Sequence, residues 1–324
     1  MFEKWDEYPS VTSAQQFSMS CLKDFFLRSK DMATRLRVGT CRNVLKGKTL
    51  ILIFSEPSTR TSTFLTIAAH NLGANVIDIK DPEHLSSVVK GEPFAEMVTV
   101  LSRGLQYGSN GEYRGAIAIR HKQEGIACSM AKVSSVPIIN AGDGMGQHPT
   151  QGLLDIHTIQ EKFGGFDGIS VAMCGDLEKG RTVRSNSYFL GKGKNVKIFF
   201  VSPPCARMKD DIKDYLQRHN VAFSEHTDLR EVAPHVDVIY QTRIQTERGS
   251  GFDRNDHSLG YFVVDKTILG LMKTHAIVMH PLPNVGDILP EVYDDPRVVC
   301  FREQLDSSIV TKMALLEMML SSNA

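Results

Sequence analysis

Apolar runs of five or six residues recur along the chain, each followed by a polar stretch and then by a helical pattern. In the first half the runs are Thr49–Phe54, Asn75–Ile79, Ala116–Arg120 and Val136–Asn140. In the second half they are Ile169–Cys174, Val196–Val201, Val236–Tyr240, Ala276–His280 and Arg297–Phe301. Strands that are apolar throughout, rather than on alternate residues, belong to parallel sheets buried on both faces. Between them lie amphipathic stretches such as Phe64–Leu72, Gly152–Lys162, Thr182–Leu190 and Lys209–His219, and a last helix is expected over Ser308–Ser321. The alternation predicts an α/β protein of two parallel-sheet domains of similar size, with helices on both faces. Ala141–Pro149, AGDGMGQHP, breaks both periods, so the division is expected after residue 148, giving residues 1–148 and 149–306 before a terminal segment 307–324.

Ligands of open parallel sheets sit beyond the carboxyl ends of the strands. The segments at those ends are IFSEPSTRT, AIRHKQEG, NAGDGMGQHPTQ, CGDLEKGRTVRS, YQTRIQTER and MHPLPNVGD, and every one is polar. Ser58-Thr59-Arg60-Thr61 stands at the mouth of a helix. Either Ser58 is an ordinary cap and Arg60 is solvated, or the free N–H groups, hydroxyls and guanidinium hold an anion. Arg120 and His121 leave one strand, and His148-Pro149-Thr150-Gln151 opens a helix after another. A guanidinium and an imidazole on one carbonyl oxygen would polarise it, whereas a lone histidine is an ordinary structural residue. Arg181 and Arg243 follow two further strands, an arrangement suited to a dicarboxylate, while Arg184, Arg207 and Arg218 read as partners in helix salt bridges. In His280-Pro281-Leu282-Pro283 either X–Pro bond is open to the cis form, and the fixed backbone would aim carbonyl oxygens at a ligand. Ser86–Glu92, SSVVKGE, reads locally as a surface loop with one lysine.

Composition narrows the choice of partner. Lysine plus arginine and aspartate plus glutamate number 37 each over 324 residues, so no bulk charge draws the chain to nucleic acid or to a membrane. Any anion must be met by local placement of cations. No apolar run approaches the ~20 residues needed to span a bilayer. The start of the chain, MFEKWDEYPSVTS, shows no apolar signal region. Six cysteines lie scattered, without C-x-x-C spacing, which predicts neither a disulfide framework nor a zinc site and fits a reduced cytoplasmic location. The Walker pattern is absent, and Gly142-Asp-Gly144-Met-Gly146-Gln147 fails the dinucleotide fingerprint at its last position.

SEPSTRT, KGE, RHKQEG, NAGDGMGQHPTQGLLD, GDLEKGRTVRS, TRIQTER and HPLP together resemble the carbamoyltransferases, in that family's order and spacing over nearly the entire chain. Arg243-Ile244-Gln245 and the HPLP form resemble the branch that acts on aspartate rather than on ornithine. The resemblance implies transfer of the carbamoyl group of carbamoyl phosphate to L-aspartate, giving N-carbamoyl-L-aspartate and phosphate, an early step of pyrimidine biosynthesis. It implies a carbamoyl-phosphate-binding first domain, to which helix 307–324 returns, an aspartate-binding second domain, and an active site in the cleft between them.

The same resemblance assigns Ser58, Thr59, Arg60 and Thr61 to the phosphate, with Arg60 also bearing charge on the leaving group. Thr61, Arg120 and His148 would contact and polarise the carbamoyl oxygen, and Gln151 with the carbonyls of Pro281 and Leu282 would hold the carbamoyl amino group. Arg181, Arg243 and Gln245 would bind the aspartate carboxylates, beside Leu282 and Pro283. From a neighbouring subunit Ser86 would reach the carbamoyl phosphate and catalytic Lys90 both substrates, which implies a homotrimer with shared sites, with or without regulatory chains. Glu56, Arg181 and Arg248 would hold the domains closed. No metal and no cofactor is implied. Gly249–Gly260 is expected to move on closure.

Four positions depart from the family pattern: Ser62 and Asn284 stand where arginine is common, Val89 where a second basic residue occurs, and Lys312 near a usual arginine. Two other readings remain open from the sequence. One is transfer to a different amine; the other is a catalytically silent homologue that serves as a scaffold or regulator.

Overall fold

In the computed structural model, which describes residues 10–82, 87–105, 113–243 and 262–321, the chain forms two units. One closes at His157 and takes up the chain again at Asp306; the other is Thr158–Leu305. Each is built on its own all-parallel sheet.

The first sheet contains β1 (Thr49–Phe54), β2 (Asn75–Lys80), β3 (Gly115–His121) and β4 (Ile138–Asp143), in the order β2-β1-β3-β4. β1 lies between neighbours and is buried at five of its six residues, as its unbroken TLILIF predicts. β2 forms an edge and is largely exposed. The outer side of β4 is covered by the N-terminal segment: Val11 donates to Ile138 O at 2.7 Å and accepts from Asn140 at 2.8 Å. Helices Thr59–Asn71, Phe94–Gly104, Ile126–Ala131 and Pro149–Phe163 follow the strands in turn. Ile51, Ile53, Ile117 and Ile119 from the sheet pack with Met97, Val98, Ala127 and Met130 from two of these helices. The terminal helix, Glu303–Leu320, is tied to this unit by Arg35 Nη1–Glu317 Oε1 at 2.7 Å and His157 Nδ1–Ser307 Oγ at 3.1 Å.

The second sheet contains β5 (Ser170–Cys174), β6 (Lys197–Val201), β7 (Ala222–His226), β8 (Val238–Gln241) and β9 (Ile277–Met279), ordered β7-β6-β5-β8-β9. Helices Arg181–Leu190 and Asp210–Arg218 pack together through an edge-on Tyr188–Tyr215 contact with centroids 4.7 Å apart. Arg184, expected as a helix salt bridge, grips Asp211 with both terminal nitrogens, though it is buried rather than superficial. The Arg184 guanidinium holds the Asp211 carboxyl below its usual range.

Two elements differ from the sequence reading. AFSEH forms β7 although its pattern is polar, because it is a half-exposed edge that among the described residues pairs with β6 alone. Arg297–Phe301 looks like a strand but contributes an isolated bridge, Val298 to Val278. Its first residue is bound back into the preceding turn, where Arg297 Nε and Nη2 donate to the Asp295 carboxylate at 3.0 and 2.8 Å.

Candidate active site

Both sheets reverse their strand order at one place. In the first the reversal lies between β1 and β3, in the second between β5 and β8. Such switch points leave a crevice at the carboxyl ends of the two strands. Most of the sequence-predicted site residues that the structure describes follow these strands or the next one over.

In the first unit, β1 delivers Glu56 and the start of helix Thr59–Asn71. The Ser58 hydroxyl makes no capping hydrogen bond, and no acidic residue occupies the first turn. The side chain of Ser58 thus does not cap this helix start, whose N-terminal end carries a partial positive charge that suits an anion. Ser58, Arg60 and Thr61 are half-buried and Thr59 is exposed. Ser62, one of the departures, turns its hydroxyl back onto Ser58 O at 2.7 Å.

β3 delivers Arg120, level with Phe54 of β1. Its Nη1 donates to Ala141 O at 3.5 Å, and its Nε lies 3.6 Å from Glu56 Oε2. Glu56, assigned by resemblance to domain closure, is thus an ion-pair partner of Arg120 within the same unit. His121 is structural: its Nδ1 accepts from Gln123 N at 2.9 Å and its ring meets Phe94.

β4 delivers His148 through a turn that Asp143 organises. The Asp143 carboxylate accepts from Gln147 N at 2.7 Å and from Gly125 N at 2.8 Å. Gly144, at φ 45°, is bound to His121 O, and a Cβ there would lie 2.4 Å from Lys122 O. The His148 ring is buried and held on both nitrogens, with Nε2 3.4 Å from Thr61 Oγ1 and Nδ1 3.2 Å from Thr150 Oγ1. The loops after β1 and β4 therefore meet at Thr61–His148, with Arg120 delivered by β3 between them.

Gln151 donates from Nε2 to Asp155 Oδ1 at 2.9 Å. A carboxylate accepts only, so this bond fixes the amide and leaves its carbonyl oxygen as the group for a ligand N–H. The sequence reading passed over both fixing residues. Thr150 lies within a quoted motif, and Gln151 and Asp155 stand four apart on a helix, the spacing at which side chains meet. Lys90 is exposed at the end of a single turn, Ser87–Lys90. Ser86 lies outside the described residues.

In the second unit, β5, β8 and β9 are adjacent and each carries one part of the predicted aspartate set. Gly175 follows β5 at φ 116°, and a Cβ there would lie 2.3 Å from Thr242 O. The chain then runs to Arg181, buried at the mouth of its helix behind Gly180. β8 leads through Thr242, bound to Cys174 O by both its amide and its hydroxyl at 2.8 Å, to half-buried Arg243. Gln245, Arg248 and the segment Gly249–Gly260 lie outside the described residues.

β9 leads to Pro281, Leu282 and Pro283. The Leu282–Pro283 bond is the cis one, and Leu282 has φ 56°. His280 braces this turn from within. Its Nδ1 accepts from Leu282 N at 2.7 Å, so a proton on Nε2 faces Asp287 Oδ2 at 3.4 Å. Asn284, another departure, closes the turn by donating to Ile288 O and accepting from Ile288 N and Gly286 N. Its amide does local structural work that a guanidinium, which has no acceptor, would not do.

Among the described residues no cluster of histidine, cysteine, aspartate or glutamate is arranged to hold a metal, and no helix is long and apolar enough to cross a membrane. Residues 10–161 match the family model for the aspartate/ornithine carbamoyltransferase carbamoyl-P binding domain, and residues 167–319 that for the Asp/Orn binding domain. The chain is 42% identical over 315 residues to the chloroplastic aspartate carbamoyltransferase of Arabidopsis thaliana, covering 97% of this chain and 78% of that protein. It resembles the crystal structure of aspartate transcarbamoylase from Trypanosoma cruzi in complex with carbamoyl phosphate and aspartate, at a TM-score of 0.86 and 32% identity, covering 96% of this chain and 95% of the other. The catalytic subunit of M. jannaschii aspartate transcarbamoylase is similar at a TM-score of 0.84 and 36% identity, covering 96% and 97%.

Proposed function

The chain belongs to the aspartate/ornithine carbamoyltransferase family, and from that premise we propose how its residues divide the work of moving a carbamoyl group from carbamoyl phosphate to L-aspartate. The observation that carries the reading is Thr61 Oγ1 3.4 Å from His148 Nε2, at a switch point that also carries Arg120 and an uncapped helix start. The phosphate takes the N–H groups of helix Thr59–Asn71 with Ser58, Thr59, Arg60 and Thr61. The carbamoyl oxygen faces Thr61, Arg120 and His148, and the carbamoyl amino group meets the Gln151 carbonyl with those of Pro281 and Leu282.

Arg181, Arg243 and Gln245 take the two aspartate carboxylates, next to Leu282 and Pro283. The aspartate amine attacks the carbamoyl carbon, and the C–N bond forms as negative charge gathers on the former carbonyl oxygen. Collapse breaks the C–O bond to phosphate, which departs with the amine's proton. Arg60 meets the charge on the leaving phosphate, and Arg120 and His148 meet the charge on the oxygen. The residues assigned here orient substrates and stabilise charge, and no covalent enzyme intermediate is called for. The chemistry requires both substrate sets to meet, which is the role proposed for Glu56, Arg181 and Arg248.

The reading extends to a homotrimer in which Ser86 and Lys90 serve a neighbouring copy, with or without regulatory chains, in the cytoplasm and in pyrimidine synthesis. Exposed Ile77, Val89 and Val100 support self-association, since apolar residues of this size are most stable when covered. The six cysteines are thiols rather than disulfides, in keeping with a reducing compartment. The test is a product assay with carbamoyl phosphate, offering L-aspartate and L-ornithine in parallel. Carbamoyl-aspartate alone is expected. Carbamoyl-ornithine, or no product from either, would refute the assignment of Arg243 and Gln245.

A further inference from the structure

The sheet that carries the aspartate set keeps an amide in its apolar core. Gln241, the last residue of β8, is 1% exposed and stands level with Cys174 of β5. Cys174 and Phe262 belong to the core cluster of this unit. Gln241 Nε2 donates to Phe262 O at 2.7 Å and to Thr242 O at 3.1 Å. Both partners are carbonyls, which accept only, so they fix the NH2 group of the amide on this side. Gln241 Oε1 is buried and meets no donor among the described residues. A buried carbonyl without a donor is costly, so an apolar residue would serve this core better. Stability therefore does not account for the amide, and the carbonyls it holds are where its role lies.

One of those carbonyls is half of the peptide that begins Arg243. Thr242 N and Thr242 Oγ1 both donate to Cys174 O at 2.8 Å, which fixes the near side of Thr242. Rotation about its Cα–C bond remains, and because the peptide is planar that rotation carries Thr242 O and Arg243 N together. The Gln241 amide closes this last freedom. Thr242 O is also the atom that a Cβ at Gly175 would meet at 2.3 Å, so the chain after β5 leaves it little room.

We propose that Gln241 is a positioning residue for aspartate: by holding the Thr242–Arg243 peptide it aims the Arg243 guanidinium at an aspartate carboxylate. This inference rests on the assignment of Arg243 above. A guanidinium meets a carboxylate through two parallel hydrogen bonds, and that fit depends on direction. Without the amide the buried Thr242 carbonyl lacks this donor, the peptide turns, and the turn is magnified along the arginine side chain. The residues assigned to the phosphate belong to the first unit and are untouched.

Gln241→Met keeps the length of the side chain and removes its donors. Initial rates against L-aspartate at saturating carbamoyl phosphate are compared for wild type, Gln241→Met, Arg243→Ala and the double variant. Urea midpoints and calorimetric affinities for phosphonoacetamide, which has no aspartate carboxylate, are measured alongside. Gln241→Met should lower kcat/KM for aspartate about tenfold, the size of one hydrogen bond to a charged group. Its affinity for phosphonoacetamide should not move, and its urea midpoint should stay level or rise. In the Arg243→Ala background the substitution should cost nothing further. Thr242→Val releases the same peptide from its other side and should also lower kcat/KM for aspartate, which keeps the question decidable if Gln241→Met does not fold. An unchanged kcat/KM for aspartate, an equal loss for phosphonoacetamide, or a full further loss in the Arg243→Ala background would overturn the proposal. So would a lowered urea midpoint without a kinetic change, the result expected of a plain core tie. If Arg243→Ala alone costs nothing, the Arg243 assignment falls and the proposal with it. The separate product assay reports whether the reaction itself has been misread.

Discussion

His157 offers a quantitative check on how this fold responds to acid. Its ring is buried on helix Pro149–Phe163, with Nδ1 3.1 Å from Ser307 Oγ and the Phe26 ring at 6.2 Å between centroids. Its Nε2 meets no hydrogen-bond partner among the described residues. Desolvation pulls the imidazole from an ordinary 6.5 to about 4. The unfolded chain therefore binds a proton at a pH where the folded chain does not. Stability contributed by the neutral ring is intact above pH 6.5, falls as pH drops from 6.5 to 4, and changes no further below that. The whole window is worth about 3 kcal/mol, and about 2 kcal/mol is lost between pH 7.5 and 5. His157→Phe keeps a ring against Phe26 and removes the titration. Urea unfolding of both proteins at fixed subunit concentration, from pH 7.5 to 5, is the assay. The variant's decline should be smaller by about 2 kcal/mol, whatever offset the lost Ser307 contact imposes at pH 7.5. Parallel declines would refute the idea that His157 is held neutral.

Arg60→Ala should lower kcat on the order of a thousandfold, because a charge aimed at the leaving phosphate acts mainly in the transition state. The melting temperature should hardly move, since Arg60 is half-buried and outside the core. Near-normal turnover would dismiss its role. Gly144→Ala forces a Cβ to within 2.4 Å of Lys122 O at a left-handed φ, so the turn between β4 and His148 must shift. About 2 kcal/mol of stability should be lost. A drop in kcat/KM measured where the variant is still folded would show that the turn positions His148; unchanged kcat/KM would show that it does not.

What the sequence made readable follows from which forces are local. Strands such as TLILIF declare themselves because a parallel strand is buried on both faces, and the polar segments after them mark the ligand edge without any knowledge of strand order. Order is not local: that β1 lies beside β3, and β5 beside β8, is set by packing between residues dozens apart. The edge strand β7 hides because one buried face and one pairing partner impose little pattern on five residues. Arg297–Phe301 misleads for the converse reason, since apolar residues fill a core whether or not their backbone pairs.

The same division runs through the site. Ser58 to Thr61 could be either a cap or an anion cradle on sequence alone. The structure adds that Ser58 makes no side-chain capping bond, which is compatible with the anion cradle proposed above. Glu56 shows what likeness leaves out: beside the closure role proposed for it, its carboxylate lies 3.6 Å from Arg120 Nε in its own unit. Asp155 closes the quoted motif NAGDGMGQHPTQGLLD, yet its contact with Gln151 is visible only in the structure. It stands four residues from Gln151 on the same helix and holds that amide at 2.9 Å. A residue that orients another leaves its mark in depth of burial and in partner geometry rather than in spacing.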